Sequence, residues 1–171
     1  PVLAVADLVQ RVERVLVVAS SHARQLSREM NGTKLPGRDR TYLDLAYHIF
    51  VVVEAYLIAA RGGELTFDLF ERRSPKETSD GLAVAGFGER IKRDFHQWWM
   101  QTGEGCDFSA NLKTYYGSQS VRELLERTAW HAAQHTRQLA AVLENLNVEL
   151  EDRLIEADFQ GLPLPDEVYD D

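Results

Sequence analysis

Two histidines one helical turn apart are the residues most able to do chemistry in this chain. His131 and His135 lie in the stretch ERTAWHAAQHTRQLAAVLENL. Side chains four residues apart project from the same face of a helix, so the two imidazoles would be neighbours. A neutral imidazole nitrogen is a common metal ligand, and this spacing can fill two positions of one coordination sphere. The pair predicts a metal site if another part of the chain supplies a further ligand.

His48 is the candidate third ligand. It lies in LAYHIFVVVEAYL, on a predicted core face shared with Leu45 and Val52. Three imidazoles converging in an apolar interior are costly to bury without partners, and a shared cation removes that cost. Three histidines with an open fourth position are typical of catalytic zinc, although imidazole also suits nickel, iron and copper. We expect a divalent ion, zinc or nickel first, that lowers the pKa of a bound water or thiol.

Other candidates are weaker. His22 lies on the inner stripe of the predicted first helix. It could line the pocket, or it could be an ordinary hydrogen-bonded histidine of the core. Tyr115 and Tyr116 close a long predicted loop, and such loops often contribute to binding sites. His96 falls off the apolar stripe of its helix, which indicates a surface position. Cys106 has no basic neighbour within several positions, so it is not expected to be a nucleophile.

The sequence offers no obvious general base. The zinc-protease motif His-Glu-x-x-His is absent because position 132 is alanine. Glu54 is a poor candidate, because six residues at about 100° each place it about 120° around the helix from His48. The loop residues Arg72, Arg73 and Lys76 could bind an anionic substrate, but they could equally be ordinary solvent-exposed side chains. The catalytic residues therefore stay unassigned.

Four long helices are expected to position these residues. Ser120 with Glu123 three residues later is a capping-box signal, and Thr41 is a candidate cap for the histidine-bearing second helix. No stretch predicts a strand with any strength, so the expected fold is all-α, a four-helix bundle with a tail at about 147–171. The helices are predicted at 3–30, 41–62, 81–102 and 120–146, with loops at 31–40, 64–80 and 103–116 and a short helix at 149–157.

Composition limits the class of function. The 171 residues suit one domain, and a net charge of −8 from 27 acidic and 19 basic residues argues against nucleic-acid binding. We see no apolar run of the roughly 20 residues that a membrane span needs, and a single cysteine fits a cytoplasmic location. The second helix is apolar enough to be covered by bundle partners or by a second subunit. The chain starts at Pro1, which leaves open a preceding domain.

The histidine early in the second helix and the His-x3-His pair of the last helix resemble the bacterial DinB/YfiT-like superfamily. The resemblance implies a four-helix bundle whose metal ligands are His48, His131 and His135. It also implies a homodimer and a role like that of thiol-dependent transferases and mycothiol-dependent maleylpyruvate isomerase. In such relatives the metal is thought to activate a low-molecular-weight thiol such as bacillithiol, mycothiol or glutathione.

Three functions are compatible with these observations. The first is a metal-dependent, thiol-using transferase or isomerase that acts on a small electrophile. The second is a metal-dependent hydrolase, which would need no thiol. The third is a non-enzymatic helical module for dimerisation or sensing.

Overall fold

A computed structural model describes residues 2–169, and they form a mostly helical fold. Four helices are long, and a two-stranded antiparallel hairpin precedes the last of them. Two 3₁₀ turns, Lys76–Thr78 and Gly103–Gly105, flank the third long helix. In chain order the other elements are α1 Val5–Gln25, α2 Tyr42–Ala60, α3 Phe67–Phe70, α4 Gly81–Gln101, β1 Asn111–Thr114, β2 Gly117–Ser120, α5 Val121–Asn145 and α6 Glu156–Phe159.

The four long helices surround one hydrophobic core. α1 and α2 each pack along both α4 and α5, whereas α1 and α2 contact each other to a lesser extent across the core. The two histidine-bearing helices, α2 and α5, are therefore direct neighbours. This adjacency allows side chains far apart in sequence to meet inside the fold.

Side-chain caps fix where the two site helices begin. The Asp44 amide donates to Thr41 Oγ1 at 3.1 Å, at the start of α2. At the start of α5, the Glu123 amide donates to Ser120 Oγ at 3.1 Å and Glu123 Oε2 accepts from the Ser120 amide at 2.8 Å. These reciprocal bonds satisfy amides that have no partner within a helix. Both predicted helix starts are confirmed.

α2 is the core helix of the fold. The expectation of no apolar run long enough for a membrane span is wrong for this helix: by length and composition it could cross a membrane, with a mean hydropathy of 1.7, but 78% of that window is buried within this chain. The other three long helices and α3 contact it. Its own chain therefore covers its apolar surface, and no second subunit is needed to explain its composition.

Several loop predictions are wrong. The predicted loop at 103–116 contains β1, which pairs with β2 so that Tyr115 and Tyr116 form the hairpin turn. The Tyr115 amide also donates to Leu65 O at 2.9 Å. Strands of four residues are too short to show a period-two pattern, and these long-range backbone partners leave no local signal.

The remaining differences lie in the connections and the tail. The predicted polar connection at 64–80 contains α3, and it buries Leu65 and Phe70, which are 2% and 8% exposed. α1 ends at Gln25, before the predicted 3–30 helix does. The short tail helix lies at Glu156–Phe159 instead of 149–157. The burial of Leu65 and Phe70 is a tertiary effect that the polar composition of 64–80 does not reveal.

Candidate metal centre

The three predicted ligands converge between α2 and α5. Each of His48, His131 and His135 offers a ring nitrogen, and these nitrogens all lie within 4.8 Å of one another. The ring centroid of His48 lies 5.0 Å from that of His135 and 5.9 Å from that of His131. The two rings of α5 are 4.7 Å apart, as expected for residues one turn apart.

Burial keeps all three imidazoles neutral. His48 is 3% exposed and His135 is 7% exposed. Removal from water lowers the pKa of His131 to about 2 and that of His135 to about 4, and it lowers the pKa of His48 further. Repulsion from the neighbouring imidazoles is the next cause at His48 and His131. Neutral rings leave a nitrogen lone pair free to bind a metal.

Two nitrogens of the cluster have no partner. Within residues 2–169, Nδ1 of His131 and Nε2 of His135 are buried without a hydrogen bond. An unpartnered buried polar atom costs about 1–3 kcal/mol. Tetrahedral zinc with bonds of about 2.0–2.1 Å places its ligand nitrogens about 3.4 Å apart, and the three ring nitrogens here lie within 4.8 Å of one another. The donor chemistry therefore fits a metal ion.

Aromatic side chains cover the cluster. The Phe70 ring lies edge-on to His48 at 5.1 Å and 5.2 Å from His131, and Trp130 stacks on His131 at 5.2 Å. Tyr115 in turn packs against Phe70 at 5.9 Å. We call residues 65–70 and 111–120 the cover. A crevice of about 10 Å³ remains beneath it next to His131, which is space for about one water molecule.

Positive charge surrounds the cluster. Arg40 lowers the pKa of all three histidines by repulsion, and Arg127 does so for His131. The carboxylate nearest to Arg40 is that of Glu71, at 3.7 Å. The candidate metal-ligating cluster found in the described part of the chain contains no carboxylate. Arg40 and Arg127 thus add positive potential at the histidines, and Glu71 offsets that of Arg40 in part.

The other predicted pocket residues divide between two places. Tyr116 lines the crevice beside His131, and Tyr115 lies behind it against Phe70. The structure places His22 elsewhere: it is completely buried in α1, at the edge of a separate cavity of about 260 Å³ bordered by α5 and the C-terminal segment. Among residues 2–169, neither of its ring nitrogens has a hydrogen-bond partner.

The remaining histidine and charged side chains singled out in the sequence lie outside the cluster. His96 is exposed and its Nδ1 lies 2.7 Å from Glu13, as expected for a surface histidine. Glu54 forms a 2.7 Å salt bridge with Arg72. Arg73 lies beside Asp39 and Asp44. Arg72 and Arg73 therefore have carboxylate partners within the chain.

Sequence reasoning missed several residues at the site. Tyr56 lines the crevice, and its buried hydroxyl lacks a partner among the described residues. The sequence could have revealed that Tyr56 lies on the same helix face as His48, because His48, Val52 and Tyr56 are spaced four residues apart. Arg127 and Gln138 also lie one turn from the α5 histidines. Arg40 and Phe70 come from segments that showed no helical or chemical pattern.

No protein-family model matches the chain, and no curated protein matches it at a significant level. A functional proposal therefore depends on the geometry of the three histidines and on the resemblance of the two helices that carry them.

Proposed function

We propose that the chain is a metal-dependent enzyme of the DinB/YfiT-like type that uses a low-molecular-weight thiol to transform a small electrophile. The observation that carries the proposal is the convergence of His48, His131 and His135 within 4.8 Å, with no carboxylate in this cluster of described residues. The helical fold and the positions of these residues on two neighbouring helices support the family assignment.

The protein's own groups have distinct roles in this proposal. His48, His131 and His135 hold zinc or nickel, which when bound supplies Lewis-acid stabilisation of an anionic sulfur or oxygen. Arg40 and Arg127 favour the thiolate over the thiol by adding positive potential. The neutral site histidines contribute no opposing negative charge.

Tyr56 is suited to hydrogen-bond a substrate oxygen. Tyr56 lines the crevice beside His131, its hydroxyl is buried without a partner among the described residues, and burial raises the pKa of that hydroxyl far above the ordinary phenol value. The group therefore stays protonated and can donate. A substrate larger than water requires the cover to shift, because the crevice holds only about 10 Å³.

The bond changes are simple. In a transfer reaction the thiol loses its proton to solvent, a carbon–sulfur bond forms, and the leaving group departs with the electrons of its broken bond. In an isomerisation the carbon–sulfur bond forms and later breaks, which regenerates the thiol. The thiol is a co-substrate in the first case and a cofactor in the second.

A metal-dependent hydrolase is the second candidate. The observation that favours it is the water-sized crevice beside His131. Glu54, the carboxylate weighed as its general base, is held by Arg72 at 2.7 Å. A hydrolase would turn over its substrate without any thiol, which separates the two functions.

The non-enzymatic module and the homodimer stay as predictions with less support. The apolar α2 motivated both, and this chain already buries most of that helix. For the homodimer, the family resemblance is the remaining argument. Sedimentation equilibrium of the full chain measures it directly.

Metal analysis of tag-free protein tests the proposal first. We expect one zinc or nickel per chain in the parent and in His96→Ala, an exposed histidine outside the site, and no metal in the triple variant with alanine at 48, 131 and 135. Thiol-dependent turnover across an electrophile panel, lost in the triple variant, would then support the transferase or isomerase. Turnover that persists without thiol would identify a hydrolase. A parent that binds no metal after reconstitution would contradict both enzymes.

A further inference from the structure

The C-terminal segment lies against α5 directly behind the histidine cluster. We call residues 165–169 the C-terminal strap. Amide and guanidinium groups of α5 donate to the strap's backbone carbonyls, so the strap is held by its main chain. The bonds are Arg137 to Pro165 O at 3.2 Å and Asp166 O at 3.4 Å, Gln134 to Glu167 O at 3.1 Å and Val168 O at 2.8 Å, and Gln138 to Val168 O at 3.1 Å.

Gln138 connects this strap to the metal centre. Its Nε2 donates to Val168 O, and its Oε1 lies 2.8 Å from Nδ1 of His135. A backbone carbonyl can only accept, so the amide nitrogen must face Val168 and the amide oxygen must face His135. The Gln138 side chain is 4% exposed, which limits competition from water.

The orientation of Gln138 determines the tautomer of His135. An amide oxygen can only accept, so Nδ1 of His135 carries the proton in the neutral ring. The lone pair of the His135 ring that is free to bind a metal therefore lies on Nε2, the nitrogen that is buried without a partner in residues 2–169. Hydrogen bonds of this kind to the second ring nitrogen fix the orientation of metal-binding histidines in other proteins.

We propose that Gln138 is a positioning residue for the metal ligand His135, and that the Val168 carbonyl of the C-terminal strap holds Gln138 in its active orientation. The strap is thus part of the metal centre, although it contributes no ligand. The metal-binding part of this inference rests on the proposed function, whereas the tautomer of His135 is a property of the metal-free protein.

The chain provides a matched pair of variants for the test. Gln138→Leu removes the bond to His135, and Val168 O still accepts from Gln134. Gln134→Leu removes strap bonds of the same kind, and Val168 O still accepts from Gln138. The two substitutions remove the same chemical group one turn apart on α5, and among the described residues the hydrogen bond to a histidine belongs to Gln138.

Nitrogen-15 long-range NMR of the metal-free full-length chain reads the tautomer of each of its five histidines. We expect the Nδ1–H form for His135 in the parent and in Gln134→Leu, and a substantial Nε2–H population in Gln138→Leu. Zinc affinity, measured by competition with a chromophoric chelator, should fall about 10–100-fold in Gln138→Leu. It should stay within about threefold of the parent in Gln134→Leu. Circular dichroism checks that both variants fold.

The outcomes distinguish the inference from the proposed function. An unchanged His135 tautomer in Gln138→Leu overturns the positioning role, and so does an equal loss of affinity in Gln134→Leu. If the parent binds no zinc but Gln138→Leu still changes the tautomer, the hydrogen-bond relay stands and the proposed function fails.

Discussion

Phe70 separates the histidine cluster from the hairpin tip that covers it. Its ring contacts His48 and His131, with centroids at 5.1 and 5.2 Å. Phe67 lies on the same short helix but is 56% exposed, and it contacts Tyr115 instead. We therefore expect access to His48 and His131 to depend on this aromatic side chain of a four-residue helix.

Removing that ring should expose the site. We predict that Phe70→Ala raises the rate at which diethyl pyrocarbonate modifies His48 several-fold in metal-free protein, because the 3%-exposed ring loses its cover. Phe67→Ala is the matched control and should leave the rate near that of the parent. Peptide mass spectrometry of the modified histidine measures both. Equal rates in the two variants would show that Phe70 does not control access.

At the scale of elements, the packing of α4 on α2 depends on a glycine. A Cβ at Gly88 would overlap the ring of Phe50 on α2, whereas a Cβ at Gly86 would meet nothing within 4 Å. Both glycines lie inside the same helix, where a glycine lowers helix propensity relative to alanine. One of them is therefore required by a close approach between helices, and the other is not.

Alanine at these two positions should act in opposite directions. We predict that Gly86→Ala raises the free energy of unfolding by about 0.5–1 kcal/mol, through helix propensity alone. Gly88→Ala should lower it by about 1–3 kcal/mol, because the methyl group forces the Phe50 ring to move in a tightly packed core. Urea denaturation measures both changes. Stabilisation by both substitutions would mean that the ring relaxes freely.

At the scale of the whole molecule, the C-terminal segment closes the space between α1 and α5. Arg14 on α1 forms a salt bridge with Asp152 at 2.9 Å, and Leu162 is buried, with 9% of its surface exposed. This closure leaves His22 with no solvent exposure. Burial lowers its pKa to about 4, although Asp152 raises it in part and Arg153 lowers it further.

His22 should make stability depend on pH. Its pKa is about 4 in the folded chain and about 6.5 when unfolded, so between these values the unfolded state binds the proton that the folded state excludes. The free energy of unfolding should therefore fall as pH drops from 7 to 4, by up to about 3 kcal/mol from this group. His22→Leu should remove that part of the dependence, measured by urea denaturation of metal-free protein at several pH values.

A control separates His22 from the other histidines. The triad also has lowered pKa values, so the parent and His22→Leu curves must be compared at each pH. If His22→Leu shows the same pH dependence as the parent, burial does not lower the pKa of His22 in the folded chain.

The sequence by itself determined the four long helices and which histidines form the cluster. Helix starts depend on local chemistry such as the Ser120–Glu123 box, and His131 and His135 are neighbours in any helix that contains both. His48 was predictable from its place on an apolar stripe. These features depend on residues a few positions apart, so periodicity and capping rules reveal them.

Only the tertiary structure decided which residues surround the cluster. Arg40 and Phe70 approach from connecting segments, the hairpin forms through pairing with no local signal, and His22 lies beside a different cavity. The hydrogen bond from Gln138 to Val168 O joins residues 30 positions apart, and Gln138 in turn bonds to His135. Such contacts depend on how the helices pack and on where the tail returns, which no local pattern of residues encodes.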